Sequence, residues 1–310
     1  MEFYLWIKLK NYMNLDNKIK SEKFTFFGTD DFSVNVLEKL FEKGFVPALV
    51  VTAPDRPAGR GQQMQSPSAK IWADNKQIKT LQPEKLNEDF INSLVECDFF
   101  VVASYGKIIP ESVLKLPKKG TLNVHPSLLP MYRGASPIET AILDDNKETG
   151  VTIMLMDKDM DHGPILEQEF VDITEWPKKL DLEKQFAEIG GELLTQIIPA
   201  WLAGEIIEQE QDHNYATFTK KIKKEDGLIE ITDLNIDFPK LEKRSVFLKV
   251  KALNPWPGVY FFINHLDRQT RIKITDADFI DGKTVITKVI PEGKKEMTFA
   301  DFKKGFGFTF

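Results

Sequence analysis

Between Phe24 and Val124, short apolar runs alternate with stretches of helical spacing, and this alternation limits the possible folds more than any other feature of the chain. Phe24-Thr25-Phe26-Phe27-Gly28 has the continuous apolar character of a strand buried on both faces, and Thr29-Asp30-Asp31 supplies a turn and a helix cap. Val34, Val36, Leu37, Leu40 and Phe41 predict a helix over 34–45, with Gly44 as its stop. The reading continues with a strand over 46–51 and a loop rich in Pro, Gly and Arg over 52–61. Then come a helix over 69–75, a strand over 78–81, a helix over 83–95, and strands over 98–103 and 120–124. Strands alternating with helices predict an α/β fold with a mostly parallel, helix-covered sheet. No Gly-x-Gly-x-x-Gly follows the first strand, so a dinucleotide site is not expected.

Further along, Leu180 to Leu202 reads as a long amphipathic helix ending at Gly204, and the polar stretch 205–215 as a linker. Strand-like runs at 227–231, 258–263, 271–274 and 284–290, without long helices between them, predict a small β-barrel or sandwich. A chain of 310 residues accommodates two such domains. The net charge of −6 argues against a general nucleic-acid binder, but it is unevenly spread. From His213 onward there are 18 Lys/Arg against 13 Asp/Glu, so a basic C-terminal third follows an acidic body and hints at a polyanion partner. The single cysteine, Cys97, excludes an internal disulfide and a multi-cysteine zinc site; its apolar setting predicts a buried structural thiol, and the expected compartment is the cytoplasm. No apolar run approaches the ~20 residues of a membrane span. Residues 1–22 read as a frayed extension, or as an upstream start with Met13 or a later residue as the true beginning.

The chemistry concentrates in Asn123-Val124-His125-Pro126-Ser127-Leu128-Leu129-Pro130 and, downstream, Asp161. Asn123 and His125 are two residues apart, so an extended strand points both to one face. The prolines after them lack a donor N–H and fix φ, which makes 126–130 a shaped loop at the strand's end, where open α/β sheets place their sites. An amide and an imidazolium can hold a carbonyl oxygen as negative charge builds, and a nearby carboxylate would favour the charged imidazole. Asp161 is followed by His162-Gly163-Pro164, a turn that can present it to a pocket. Read in isolation, Asn-x-His would more often cap a strand end.

NVHPSLLPMYRGASPIETAIL, followed by GVTIMLMDKDMDHGPIL, resembles the core of the folate-dependent formyltransferases. These act on methionyl-tRNA, on glycinamide ribonucleotide or on aminosugars. Their shared Asn-x-His, Ser-Leu-Leu-Pro and later Asp-x-Gly correspond to Asn123 and His125, Ser127 to Pro130, and Asp161 with Gly163. The resemblance covers roughly residues 23–200. It implies a Rossmann-like formyltransferase domain over 23–204, a linker over 205–215 and a small, shortened OB-like β-barrel over 216–310. It further implies 10-formyltetrahydrofolate as formyl donor, no metal, and Asn123, His125 and Asp161 as the catalytic set. Ser127, Leu128, Leu129 and Pro130, with Tyr105, Gly106 and Ile108, are expected to line the folate pocket, largely through backbone groups.

The acceptor rests on further stretches. Asp55-Arg56-Pro57-Ala58-Gly59-Arg60-Gly61 is similar to the loop with which the tRNA-acting members engage the acceptor stem, so Arg56 and Arg60 are expected to contact initiator methionyl-tRNA. Lys249 to Gly258 is similar to a segment of those members' barrel, and is also readable as a Pro-fixed turn leading into a strand. Lys220, Lys221 and Lys223 fall where that family meets its tRNA, with a solvated face as the even alternative. The rival acceptor is an aminosugar nucleotide; an RNA-binding module with an inactive folate fold is the non-enzymatic alternative. His162, His213 and His265 have no ligand-like spacing, and Asp157 with Asp159 lacks a third metal ligand at a helpful spacing. A monomer without membrane attachment is expected.

Overall fold

The computed structural model describes residues 22–58, 61–230, 240–241, 244–265 and 268–306. The N-terminal extension through residue 21, and with it Met13, lies outside the described residues, as do Gly59, Arg60 and residues 231–239. The chain divides into two compact units that interleave in sequence. One comprises the chain up to Gly134 with Gly150–Val171 and Glu183–Phe218; the other comprises Ala135–Thr149, Asp172–Leu182 and the chain from Thr219 on. The second therefore takes in two stretches that the sequence reading assigns to the first domain.

The first unit is built on strand β1 (Phe24–Gly28), helix α1 (Asp31–Glu42) and strand β2 (Leu49–Val51). The short strands β3 (Arg56–Ala58) and β4 (Gln63–Gln65) come next, then α2 (Ser68–Asn75), β5 (Thr80–Leu81), α3 (Glu88–Ser93) and β6 (Phe99–Ala103). After α4 (Glu111–Leu114) come β7 (Thr121–His125) and β8 (Arg133–Gly134). Helix α5 (Pro137–Leu143), which belongs to the second unit, is followed by β9 (Glu148–Leu155), β10 (Ile165–Asp172) and the long helix α6 (Lys179–Leu202). A seven-stranded sheet has the order β10-β9-β7-β6-β1-β2-β5. β1 is parallel to β2 and β6, β2 to β5, and β6 to β7, whereas β9 runs antiparallel to β7. The Rossmann-like α/β sheet is thus as expected.

Phe24, Phe26, Phe27, Phe99 and Phe100 are fully buried on the two faces of neighbouring strands, which explains the continuous apolar runs. Asp30 caps α1 by accepting from the Ser33 N–H at 3.2 Å, and Ser33 Oγ donates to the Ala103 carbonyl at 2.7 Å. These bonds tie the first strand–helix turn to the end of β6. Cys97 is buried beside Thr25, and burial pushes its thiol pKa up, as suits a structural cysteine.

Two differences from the sequence reading have local causes. The helix expected over 83–95 is confined to α3, where Asn87 caps by accepting from the Phe90 N–H. The residues before it, Gln82 to Lys85, instead line a cleft of ≈ 450 Å³ with Phe90 and Ser93. The antiparallel β9 and its neighbour β10 add to the strands expected, and their apolar residues fall in the motif-bearing stretch. Beneath the sheet α6 approaches β7 closely. A Cβ on Gly190 would stand 2.4 Å from Val124 Cγ1, so only glycine lets the helix lie this near the strand that carries Asn123 and His125.

After β11 (Phe218–Thr219), whose Phe218 is the last residue of the first unit, β12 (Lys240–Leu241) of the second unit precedes helix α7 (Arg244–Leu253). Then come β13 (Val259–His265), β14 (Arg268–Ile280), β15 (Lys283–Pro291), β16 (Met297–Thr298) and α8 (Phe299–Gly305). β13, β14 and β15 form an antiparallel meander, with β12 and β16 pairing on β15, consistent with the small barrel expected. The strand expected at 227–231 is replaced among the described residues by a 3-10 turn, Lys224–Gly227, and a single bridge of Leu228 to Tyr260. Helix α7 was not read from the sequence, although Val246, Phe247, Val250 and Leu253 bury one face of it. It packs against α5, and its Arg244 donates from Nε and Nη2 to the Asp145 carboxylate at 2.6 and 2.9 Å.

Candidate active site

β7 ends at the carboxyl edge of the sheet, between β6 and β9. Val102 pairs with Asn123, and His125 with Thr152. Asn123 and His125 are both buried, and the strand's two-residue period puts them on one face. The following loop is held by hydrogen bonds rather than by regular structure. The Ser127 N–H donates to the His125 carbonyl at 2.9 Å, and Ser127 Oγ to the Met131 carbonyl at 2.7 Å. Thr152 Oγ1 donates to the Ser127 carbonyl at 2.6 Å and accepts from the Leu129 N–H and from Gln168 Nε2. The Leu129–Pro130 peptide is cis. Ser127 and Leu129 are buried, whereas Leu128 and Pro130 are half-buried.

The two nitrogens of the His125 ring have different surroundings. Nε2 lies 3.0 Å from the Tyr132 carbonyl, which can only accept, so the Nε2 position carries a proton. Nδ1 faces Asp161 Oδ1 at 3.7 Å, close enough for an ion pair but too far for a hydrogen bond. With a proton on Nδ1 as well, the ring becomes a cation beside a carboxylate, with that second N–H free to reach a reacting oxygen. Asp161 Oδ2 accepts from the Gly134 N–H at 2.7 Å. Tyr132 and Asp161 both have left-handed backbones, at φ 59° and 49°, a conformation that costs a non-glycine residue on the order of 1 kcal/mol and is concentrated at functional sites.

Several residues that the sequence reading left without a role hold this arrangement. Arg133 is buried, and its Nε and Nη2 donate to Gln211 Oε1 at 3.2 and 2.6 Å. Its Nη2 also contacts His213 Nδ1 at 2.8 Å. Burial lowers the Arg133 pKa, opposed by the charges of Asp161 and Asp157. Gln211, in the stretch read as a polar linker, donates from Nε2 to the carbonyls of Asp161 at 3.0 Å and Gly163 at 2.7 Å. Only the Met-Tyr-Arg-Gly sequence after the Pro loop could have pointed to Arg133, and no local pattern marks Gln211. His162, stacked on His213 at 4.1 Å, bonds through Nδ1 to Asp157 Oδ2 at 2.7 Å. The fold thus supplies the third potential ligand that spacing alone did not: Asp157, Asp159 and His162 offer ligand atoms within 4.8 Å of one another.

The other candidates are distributed as follows. Tyr105 follows Ser104 in the loop after β6, the strand that pairs with β7. Its ring packs edge-on against Phe27 in the core, burial pushes its pKa up to about 12, and its carbonyl accepts from Thr29 Oγ1 at 3.0 Å. Gly106 and Ile108 stand exposed on that loop, and Lys107 Nζ donates to the Pro83 carbonyl at 2.6 Å. Arg56 is exposed on the β3–β4 hairpin, where it pairs with Gln65; Arg60 lies outside the described residues. At the hairpin's base, the hydrogen bond from Gln82, at 2.6 Å, lowers the Asp55 pKa. Lys220, Lys221 and Lys223 of the second unit are exposed. In the Lys249–Gly258 stretch, Asn254 Nδ2 donates to the carbonyls of Val250 and Ile274, forming a turn that leads into β13. His265 ends β13.

A formyl transferase family model matches residues 22–198. The methionyl-tRNA formyltransferase of Halalkalibacterium halodurans is 37% identical over 92% of this chain and 95% of its own length. That of Chloroflexus aurantiacus is 42% identical over 77% of this chain and 76% of its own. Among solved structures, an N-formyltransferase of Helicobacter canadensis, in complex with folinic acid and dTDP-3-aminofucose, superposes with a TM-score of 0.59 at 20% identity. It covers 84% of this chain and 88% of that one. HypX of Aquifex aeolicus, in complex with tetrahydrofolic acid, has a TM-score of 0.60 at 14% identity over 92% of this chain and 47% of its own. Those two likenesses concern the fold, whereas the relatives span both the sheet and the C-terminal region: the chain belongs to the methionyl-tRNA formyltransferases.

Proposed function

We propose that the chain transfers a formyl group from 10-formyltetrahydrofolate to the α-amine of methionine on initiator tRNA, giving N-formylmethionyl-tRNA for translation initiation. The observation that carries this is His125, at the end of β7, with the Asp161 carboxylate 3.7 Å from its Nδ1, in a chain of this family. Two adjacent parallel strands send out loops, 104–110 and 126–130, whose backbone groups and exposed Gly106 and Ile108 suit a flat heterocycle. Bound there, 10-formyltetrahydrofolate supplies the formyl carbon, and the reaction exchanges its C–N10 bond for a bond to the methionyl nitrogen.

Asn123 and the Nδ1–H of the doubly protonated His125 donate to the formyl oxygen as negative charge builds on it. The amine attacks the formyl carbon; Asp161, facing His125, takes the proton from the ammonium formed in that attack, directly or through a water, and N10 departs protonated as tetrahydrofolate. Ser127, Leu128, Leu129 and Pro130, with Tyr105, contribute mainly backbone groups to the donor pocket. Arg56 and Arg60 position the acceptor end of the tRNA, and Lys220, Lys221 and Lys223 on the C-terminal barrel contact its phosphates. The protein acts as a monomer in the cytoplasm; among the described residues no helix is long and apolar enough to cross a membrane.

The test is a steady-state formylation assay offering charged initiator tRNA, charged elongator tRNA and an aminosugar nucleotide side by side. Turnover with the initiator tRNA is expected. Turnover with the aminosugar alone would overturn the acceptor assignment while keeping the formyl chemistry.

A further inference from the structure

Asp161 is useful only if its carboxylate is held toward His125, yet it sits in a turn with a left-handed backbone, φ 49°, that the residue does not itself favour. Three contacts hold the turn. The Gly134 N–H takes Oδ2, which leaves Oδ1 to face the His125 ring. Gly163 passes so close to β9 that a Cβ would lie 2.1 Å from the Leu155 carbonyl oxygen. The third is Gln211, whose amide hydrogens reach the carbonyls on either side of His162 at 3.0 and 2.7 Å.

The direction of that amide is not left to chance. A guanidinium has donors only, so Arg133 compels Gln211 Oε1 to face it and turns Nε2 toward the two carbonyls. Arg133 itself stands between Tyr132, whose carbonyl holds His125 Nε2, and Gly134, whose N–H holds Asp161. Three successive residues therefore fix the imidazole, the amide that braces the Asp161 turn, and the carboxylate.

We infer that Gln211 is a positioning residue that acts through Asp161, with Arg133 fixing the orientation of its amide. The inference rests on the formyl-transfer reading above. Gln211→Glu keeps an oxygen for Arg133 but sets a second oxygen against the Asp161 and Gly163 carbonyls, so the turn must shift. Since a misplacement of ~1 Å can cost about a hundredfold in rate, kcat is expected to fall at least about tenfold. KM for both substrates should stay within about twofold. Placed on Asp161→Asn, the same change should add less than about a twofold further loss, because the group it positions is already gone.

The experiment measures kcat and KM with charged initiator tRNA for the full chain, Gln211→Glu, Asp161→Asn and the double variant, with a thermal melt of each. Arg133→Lys, which keeps the charge but loses the fork, is read alongside and is expected to fall between the parent and Gln211→Glu in kcat. It carries the test should Gln211→Glu fail to fold. Full multiplication of the two losses in the double variant, a rise in KM with kcat intact, or variants equal to an active parent would overturn the positioning role. A parent inactive with methionyl-tRNA would overturn the formyl-transfer reading itself.

Discussion

The segment from Asn123 to Gly134 and the β3–β4 hairpin both carry residues proposed to meet substrate, and they are built in opposite ways. In the first, Asn123, His125, Ser127 and Arg133 are buried, and hydrogen bonds to Thr152, Gly134 and Gln211 hold the loops around them. In the second, Arg56 and all of β4 are exposed, and Met64 is 64% exposed. Stabilising charge that develops during a reaction demands donors that need no rearrangement, and burial with fixed partners provides that. Meeting a large polyanion demands charge that can be reached and adjusted, and an exposed hairpin provides that. The two halves of the proposed reaction therefore rest on different physics, and they should fail differently.

The sharpest way to break the contrast is at the buried end. His125→Ala, Asn123→Ala and Asp161→Ala are each expected to cost about a hundredfold or more in kcat, with folate binding, measured by fluorescence titration, largely retained. An effect confined to KM would put these residues on the recognition side. Gly163→Ala comes next. A Cβ 2.1 Å from the Leu155 oxygen must push β9 and the Asp161 turn apart, so both kcat and the melting temperature should drop, the former by about tenfold or more. A folded variant of full activity would show that the turn tolerates movement.

At the exposed end, Arg56→Ala should raise KM for methionyl-tRNA several-fold, about 1 kcal/mol, and flatten its salt dependence while leaving folate binding unchanged. Equal loss of both would tell against a recognition role. The smallest effect belongs to the second unit, where the Asp145–Arg244 pair is neither buried nor fully exposed. The hydrogen bond from Arg244 is the largest cause holding the Asp145 pKa below its ordinary 3.8. A depressed carboxylate stabilises the fold fully above its unfolded value and loses that contribution as pH falls through its lower folded value. Asp145→Asn should thus lower the denaturation midpoint by the equivalent of about 1 kcal/mol or less at pH 7. The gap between variant and parent should close as the pH is brought below about 3.8. A gap that persists in acid would assign the effect to packing against α5 and α7.

Much of the fold was legible because its signals are local. Phe24 to Gly28 announces a doubly buried strand by composition, and Leu180 to Leu202 announces α6 by its period. Antiparallel β9 is equally apolar yet overlaps the motif-bearing stretch, and the helical spacing of Val246, Phe247, Val250 and Leu253 in α7 is confined to ten residues. The Gly227–Ile231 strand misled because a short apolar run does not distinguish a ladder strand from a turn anchored by one bridge.

Asn123, His125 and Asp161, with the Pro loop between them, were written in the sequence, since residue type and a two-residue spacing are all that chemistry of this kind needs to become recognisable. The alternation of strand and helix was written there too, because buried faces repeat at fixed local periods. Which carbonyl takes His125 Nε2, which carboxylate faces Nδ1, and that Gln211 and Arg133 brace the Asp161 turn, was decided by the tertiary structure alone. Gln211 lies 78 residues from Arg133 and 50 from Asp161. A buried polar group bonds to whatever the fold brings alongside it, and no local period encodes a partner so far along the chain.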